Sequence, residues 1–292
     1  MNYPRDLFRL MRPQHWVKSG FVLVGLLFGH VWGDSALLWR ILAAAAGFSL
    51  VASCIYVLND IADCAADRKH PVKRHRPLAA GRVSLNAAIA LALASGVLGG
   101  ALGYYASPLV AVLLAIYGVM NLAYTLGLKR VVILDVFIIA AGFMLRILAG
   151  TSGVGIPPSQ WLLLCGLMLT LFLGFVKRRA ELGAGEAGDK VVQRKVLQDY
   201  TPALLDHMIT VAATGIIMSY SLYTVSADTV ALHHTTHLIA TVPLVMYGVF
   251  RYLFLLHARQ QGEDPARDTV RDPHLIATFV VWLALTAWLI AQ

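Results

Sequence analysis

The stretch Leu50-Val51-Ala52-Ser53-Cys54-Ile55-Tyr56-Val57-Leu58-Asn59-Asp60-Ile61-Ala62-Asp63-Cys64-Ala65-Ala66-Asp67-Arg68 decides the fold. Its first half closes an apolar run over 37–59, long enough to cross about 30 Å of hydrocarbon as a helix. Its second half carries Asp60, Asp63 and Asp67 at i, i+3 and i+7, a spacing that puts three carboxylates on one helical face. Negative charge at a helix C-terminus opposes the macrodipole, and like charges one turn apart repel. A bound cation accounts for such a cluster. Mg²⁺ suits it, because a hard ion takes one or two protein carboxylates and completes its shell with phosphate oxygens and water. Asp60 and Asp63 are the first choices as ligands, with Asn59 adding an uncharged oxygen. Asp67 is expected to bind substrate or order the loop.

Outward from this turn the chain stays apolar. Of its 292 residues 58% are hydrophobic and 14% charged, about half the charged share of a soluble domain. The mean hydropathy is +0.68. An all-α integral membrane bundle is expected, one polytopic domain over 1–292 with no linker. The reading gives about nine transmembrane helices, over 14–32, 37–59, 85–106, 108–126, 131–151, 159–176, 203–225, 236–257 and 273–291. The N-terminus is not expected to be a cleaved signal, since the first apolar run lacks a small-residue cleavage site. Cys54, Cys64 and Cys165 have no metal-type spacing and read as packing residues, with no disulfide.

All but two of the 24 Lys and Arg residues, Arg40 and Arg146, fall on one side of such a bundle. The positive-inside rule makes that side cytoplasmic, with the N-terminus inside and Gln292 outside. This bias explains most of the net charge of +8 without a nucleic acid partner. It also means that a basic loop residue needs a further reason to count as functional.

His70-Pro71-Val72-Lys73-Arg74-His75-Arg76-Pro77 follows the aspartates at once, and its prolines stiffen the loop. Lys73 and Arg76 are expected to bind phosphate, while His70 and His75 order the loop. The segment Tyr124 to Asp135 contributes Tyr124 and Lys129 as substrate contacts and Asp135 as a further catalytic acid. Arg146, eleven residues on, lies on a similar face and is expected to line the polar interior. Lys18, Lys177 and Arg178 are candidates for a lipid phosphate. Glu181 is a supporting acid, spaced i, i+4 from Lys177. His233, His234 and His237 read as polar loop residues and not as a metal cluster.

Taken together, Asn59-Asp60-x-x-Asp63-x-x-x-Asp67, the Tyr124…Lys129…Asp135 segment and the helical pattern resemble the UbiA-type intramembrane prenyltransferase superfamily. Local strings resemble its decaprenyl-phosphate phosphoribosyltransferase branch. They include Arg12-Pro13-x-x-Trp16-Val17-Lys18, His70-Pro71-x-Lys73-x-x-Arg76-Pro77, Phe143-x-x-Arg146, Ser159-Gln160-Trp161 and Lys177-Arg178-x-Ala180-Glu181. The resemblance implies Mg²⁺-dependent transfer of 5-phosphoribose from 5-phosphoribosyl 1-diphosphate (PRPP) to a polyprenyl phosphate. Such a product is a precursor of arabinose donors for a cell envelope. The active site would face the cytoplasm from the inner membrane. The superfamily's second aspartate-rich motif is reduced here to Asp135, the lone acid between Asp67 and Glu181, which disfavours a two-metal prenyl diphosphate site. Ser19 stands where the branch has Asn. The alternatives are prenyl transfer to an aromatic or other acceptor and, in another class, a lipid-binding or transport protein. A homo-oligomer stays open.

Overall fold

The computed structural model describes residues 3–29, 33–186, 195–259 and 271–291. They fold into helices α1 (Tyr3–Leu10), α2 (Val24–Phe28), α3 (Ser35–Ala62), α4 (Cys64–Asp67), α5 (Leu85–Ala106), α6 (Pro108–Leu126), α7 (Leu134–Gly150), α8 (Gln160–Glu186), α9 (Pro202–Val225), α10 (Ala227–His233), α11 (Val242–Arg259) and α12 (Pro273–Ala291), with short 3₁₀ segments between them. Eight of the described helical stretches are long and apolar enough to cross a membrane, and they match the second to ninth expected spans. The basic residues Lys190, Arg194 and Arg267 of the topology argument lie outside the described residues, as do 30–32, where the first expected span ends.

Helix starts follow local chemistry. Asp34, Ser84 and Thr201 each accept a hydrogen bond from the amide three residues on, at Leu37, Ala87 and Leu204. Pro202 occupies the first position of α9, where a missing N–H costs nothing.

The chain divides into two compact units. The first comprises Met1–Leu126 and Leu145–Pro157. Within it α3 and α5 pack through small residues. A Cβ at Gly99 would press on Val51 and on the Gly47 carbonyl, the close approach by which helices associate in lipid. The opposite face of α5 exposes Leu93, Val97 and Leu98, a surface made for hydrocarbon. The second unit comprises Gly127–Met144 and Pro158–Gln292. Its core joins Val136, Phe172, Phe175, Leu205, Ile209 and Leu255.

The first expected span is built differently. Residues Pro13–Leu23 form a 3₁₀ helix, entered through Arg12 in the left-handed region (φ 52°), before the short α2. Three residues per turn align Trp16, Ser19 and Val22 on one side. Trp16 Nε1 donates to Ser53 Oγ at 2.9 Å, and Ser49 Oγ donates to Ser19 Oγ at 2.9 Å. Val22 is fully buried, and glycine at 150 lets the two backbones touch there. These polar and close-packed anchors hold a tighter coil than an apolar periodicity predicts.

Candidate active site

In the first unit α3 ends at Ala62, Asp63 caps it, and α4 restarts at once. The i→i−4 bonds continue through Asp63, from its amide to the Asn59 carbonyl and from the Asp67 amide to its own. Asp60 and Asp67 turn inward, each 4% exposed, while Asp63 is exposed. Arg76 Nη1 joins the two buried acids, at 3.1 Å from Asp60 Oδ1 and 2.7 Å from Asp67 Oδ2. Arg12 Nη2 donates to the same Asp60 oxygen at 2.6 Å, with its guanidinium 5.0 Å from the Tyr56 ring centre. Asn59 Oδ1 lies 3.2 Å from the Thr125 hydroxyl of α6.

The basic loop is ordered from within. His70 Nδ1 accepts from the amides of Val72 and Lys73, both at 3.2 Å. Lys73 is exposed in the turn Lys73–His75. Arg82 pins the far side of the loop: Nη2 donates to the His75 carbonyl at 2.9 Å, and Nε lies 3.2 Å from Asp6 Oδ2 on α1. Leu10 of α1 packs with Leu78 and Val83, so the N-terminal helix buttresses the loop that presents Arg76. Lys18 sits half-buried in the 3₁₀ segment and Tyr124 half-buried in the last turn of α6. Arg146 is buried. It donates to the Tyr117 hydroxyl at 2.9 Å and lies 4.6 Å from that ring's centre and 5.5 Å from that of Phe48, contacts that compensate a guanidinium inside a span.

The second unit holds the remaining candidates. Asp135 is fully buried; Oδ2 accepts from Arg178 Nε at 2.7 Å and Oδ1 from the Tyr200 hydroxyl at 2.8 Å. Arg178, 1% exposed, also donates from Nη1 to Glu181 Oε2 at 2.6 Å. Glu181 thus pairs with Arg178 at i, i+3. Arg178 and Asp135, expected as a lipid-phosphate contact and a catalytic acid, form a buried ion pair. Sealing follows from burial, because a charge out of water must be matched locally. Lys129 and Lys177 are half-buried nearby in sequence. Asp135 and Arg146 share α7 but belong to different units, each with its own partners.

Reasoning from sequence missed Arg12, Tyr200, Tyr117 and Thr125 as partners. Arg12 was legible as topology charge and as part of a branch-like string, not as a partner of Asp60, and nothing local marks Tyr200, which lies 65 residues from Asp135. His233, expected as a polar loop residue, closes α10 and is buried against the Tyr223 hydroxyl at 3.1 Å.

Among the described residues no three His, Cys, Asp or Glu side chains converge as a metal cage. The acidic turn still fits a hard ion in kind. All its donors are oxygens, Asp63 faces outward, and a Mg²⁺ ion needs only one or two carboxylates when phosphates supply the rest.

The family model described as the UbiA prenyltransferase family matches residues 19–271. The chain is 33% identical to decaprenyl-phosphate phosphoribosyltransferase of Mycolicibacterium smegmatis, over 97% of this chain and 91% of that protein. It is 32% identical to the protein so named in Mycobacterium tuberculosis, over 97% and 93%. Among solved structures, a UbiA homolog from Archaeoglobus fulgidus bound to GPP and Mg²⁺ superposes with a TM-score of 0.69 at 16% identity, covering 98% of this chain and all of that one. A digeranylgeranylglyceryl phosphate synthase structure gives 0.68 at 20% identity, with both chains fully covered.

Proposed function

Since the chain belongs to the UbiA prenyltransferase family, a group of multi-pass membrane transferases, we propose that it moves 5-phosphoribose from PRPP to a polyprenyl phosphate. A lipid phosphate oxygen forms the new bond to C1. The bond from C1 to the diphosphate breaks, and diphosphate leaves with the electron pair. The relatives named for this reaction, aligned over nearly the whole chain, support it. One arrangement carries it: Arg76 sits between Asp60 and Asp67, so a phosphate-binding loop and an acidic turn suited to a metal share one guanidinium.

The attacking phosphate is already an anion, so the mechanism needs no general base. Positioning and charge stabilisation do the work. Asn59, Asp60 and Asp63 would hold Mg²⁺, which when bound neutralises the departing diphosphate. Lys73 and Arg76 grip diphosphate oxygens, and Tyr124 and Arg146 add polar contacts in the same unit. Asp67 faces the positive charge that develops at the ribose as the leaving group departs. Lys18 is assigned to the lipid phosphate. In the second unit, Lys129 and Lys177 are assigned to phosphates on their charge. The basic-residue bias supports an acidic turn at the cytoplasmic face of the inner membrane, where PRPP is soluble.

The other reading is prenyl transfer, supported by the fold shared with a structure that holds GPP and Mg²⁺. Purified protein offered PRPP with polyprenyl phosphate, or a prenyl diphosphate with an aromatic acceptor, distinguishes the two. PRPP consumption with a radiolabelled lipid product is expected. Turnover of prenyl diphosphate alone would replace the proposal.

A further inference from the structure

Ile133 is β-branched, yet its φ is +69°, in the left-handed region that such residues avoid. Strain of this kind survives only where the surroundings enforce it, and it gathers at functional segments. The enforcement is visible. The Ile133 amide donates to the Tyr200 hydroxyl at 2.7 Å, and that hydroxyl donates its own proton to Asp135 at 2.8 Å. Both capacities of one phenol oxygen are thereby used on a single turn. Asp135 is in turn fixed by Arg178. Tyr200 is itself buried among Val136, Val196 and Leu197, and the turn Leu128–Arg130, which carries Lys129, packs against Lys195–Asp199 just before it. Burial pushes the Tyr200 phenol above its ordinary value, so at neutral pH it keeps the proton it donates.

We infer that Tyr200 is a positioning residue: its hydroxyl holds the strained turn at Ile133 and thereby sets the backbone that presents Lys129 to a phosphate. The ligand of Lys129 rests on the phosphoribosyl-transfer reading; the hold on the turn does not. Tyr200→Phe keeps the ring and removes both hydrogen bonds. Glycine at 133 accepts a positive φ without strain, so Ile133→Gly removes the need for the hold.

The experiment compares wild type, Tyr200→Phe, Ile133→Gly and the double variant in lipid nanodiscs. Hydrogen exchange is read over residues 128–136, and kcat and KM are read for PRPP and for the lipid. Tyr200→Phe is expected to raise exchange in that segment and to raise KM for PRPP on the order of tenfold, the size of one hydrogen bond to a charged group, with kcat little changed. In the Ile133→Gly background the same substitution should cost little in either readout. Unchanged exchange in Tyr200→Phe overturns the inference. Raised exchange with unaltered KM overturns the link to Lys129. A KM loss that Ile133→Gly does not relieve also overturns it, since a packing role would behave so. If wild type fails to consume PRPP, the function reading falls, while the exchange cycle still decides whether the phenol holds the turn.

Discussion

Each unit contains a carboxylate–arginine cluster, and the two are built to opposite ends. In the first, Arg12 and Arg76 meet Asp60 and Asp67, with both guanidiniums about a quarter exposed and Asp63 and Lys73 open beside them. In the second, Arg178, Asp135 and Tyr200 are shut away, with only Glu181 reaching the edge. A half-open cluster can exchange a guanidinium for a substrate's metal or phosphate at low cost. A sealed one cannot, because each partner removed leaves an uncompensated charge in a medium that punishes it. The difference teaches that the same residue types can be left open to water in one place and sealed in another, and that access to water is what separates the two clusters.

The sharpest break in this comparison comes from the open cluster. Asp63→Ala should lower the transfer rate by roughly 10²–10³ in the radiolabelled-lipid assay while leaving thermal unfolding unchanged. Asp60→Ala should match it in rate and also unfold earlier, since Arg12 and Arg76 lose their shared acceptor. Wild-type turnover in either variant would remove the metal assignment. Chelation with EDTA should stop turnover yet leave the melting temperature of the substrate-free protein in place, because arginines already compensate Asp60 and Asp67; a large drop would mean that the metal is structural. The sealed cluster should respond the other way. Arg178→Met should cost about 3–5 kcal/mol of stability, read by thermal unfolding in detergent, with activity lost only as folded protein is lost. A stable variant with weakened lipid affinity would make Arg178 a phosphate ligand after all. Lys73→Ala is smaller: KM for PRPP should rise roughly tenfold, the size of one charge-assisted hydrogen bond, without a change in melting.

The smallest effect expected is at Asp272, which belongs to neither cluster. Arg251 hydrogen-bonds it at 2.7 Å, and that bond, with the Leu275 amide, holds its carboxyl below the usual value. A lowered folded pKa adds stability that is complete above the unfolded value of about 3.9 and fades as pH falls through the folded one. Asp272→Asn should therefore lower the melting temperature slightly at pH 7, and the gap to wild type should close as pH falls through the folded carboxyl's lowered value.

Much of the fold was legible because hydrocarbon imposes one rule, about 20 apolar residues per crossing. The spans at 85–106, 108–126 and 273–291 coincide with helices Leu85–Ala106, Pro108–Leu126 and Pro273–Ala291. Pro13–Leu23 escaped that rule because its coil is chosen by contacts with Ser49 and Ser53, some 30 residues away. At the candidate site, Asp60 and Asp67 on one side of a helix were readable from their spacing, whereas the ion pairs of Arg76 with them were not, because the bend of the loop between decides where that guanidinium lands. The partnership of Asp135 with Arg178 and Tyr200 spans 43 and 65 residues, and no local pattern encodes it. Burial of Arg178 was likewise invisible, since a basic run at the end of a span reads as topology signal whichever way each side chain turns.

The threefold stripe of Trp16, Ser19 and Val22 makes the N-terminal coil a ruler that tolerates only certain lengths. One residue inserted between Trp16 and Val22 would swing everything beyond it by about 120° and unhook the serine and glycine anchors. Three inserted residues would restore the phase while stretching the coil by about 6 Å. Length variants of this segment should therefore survive in steps of three, a rhythm that no ordinary membrane helix would impose.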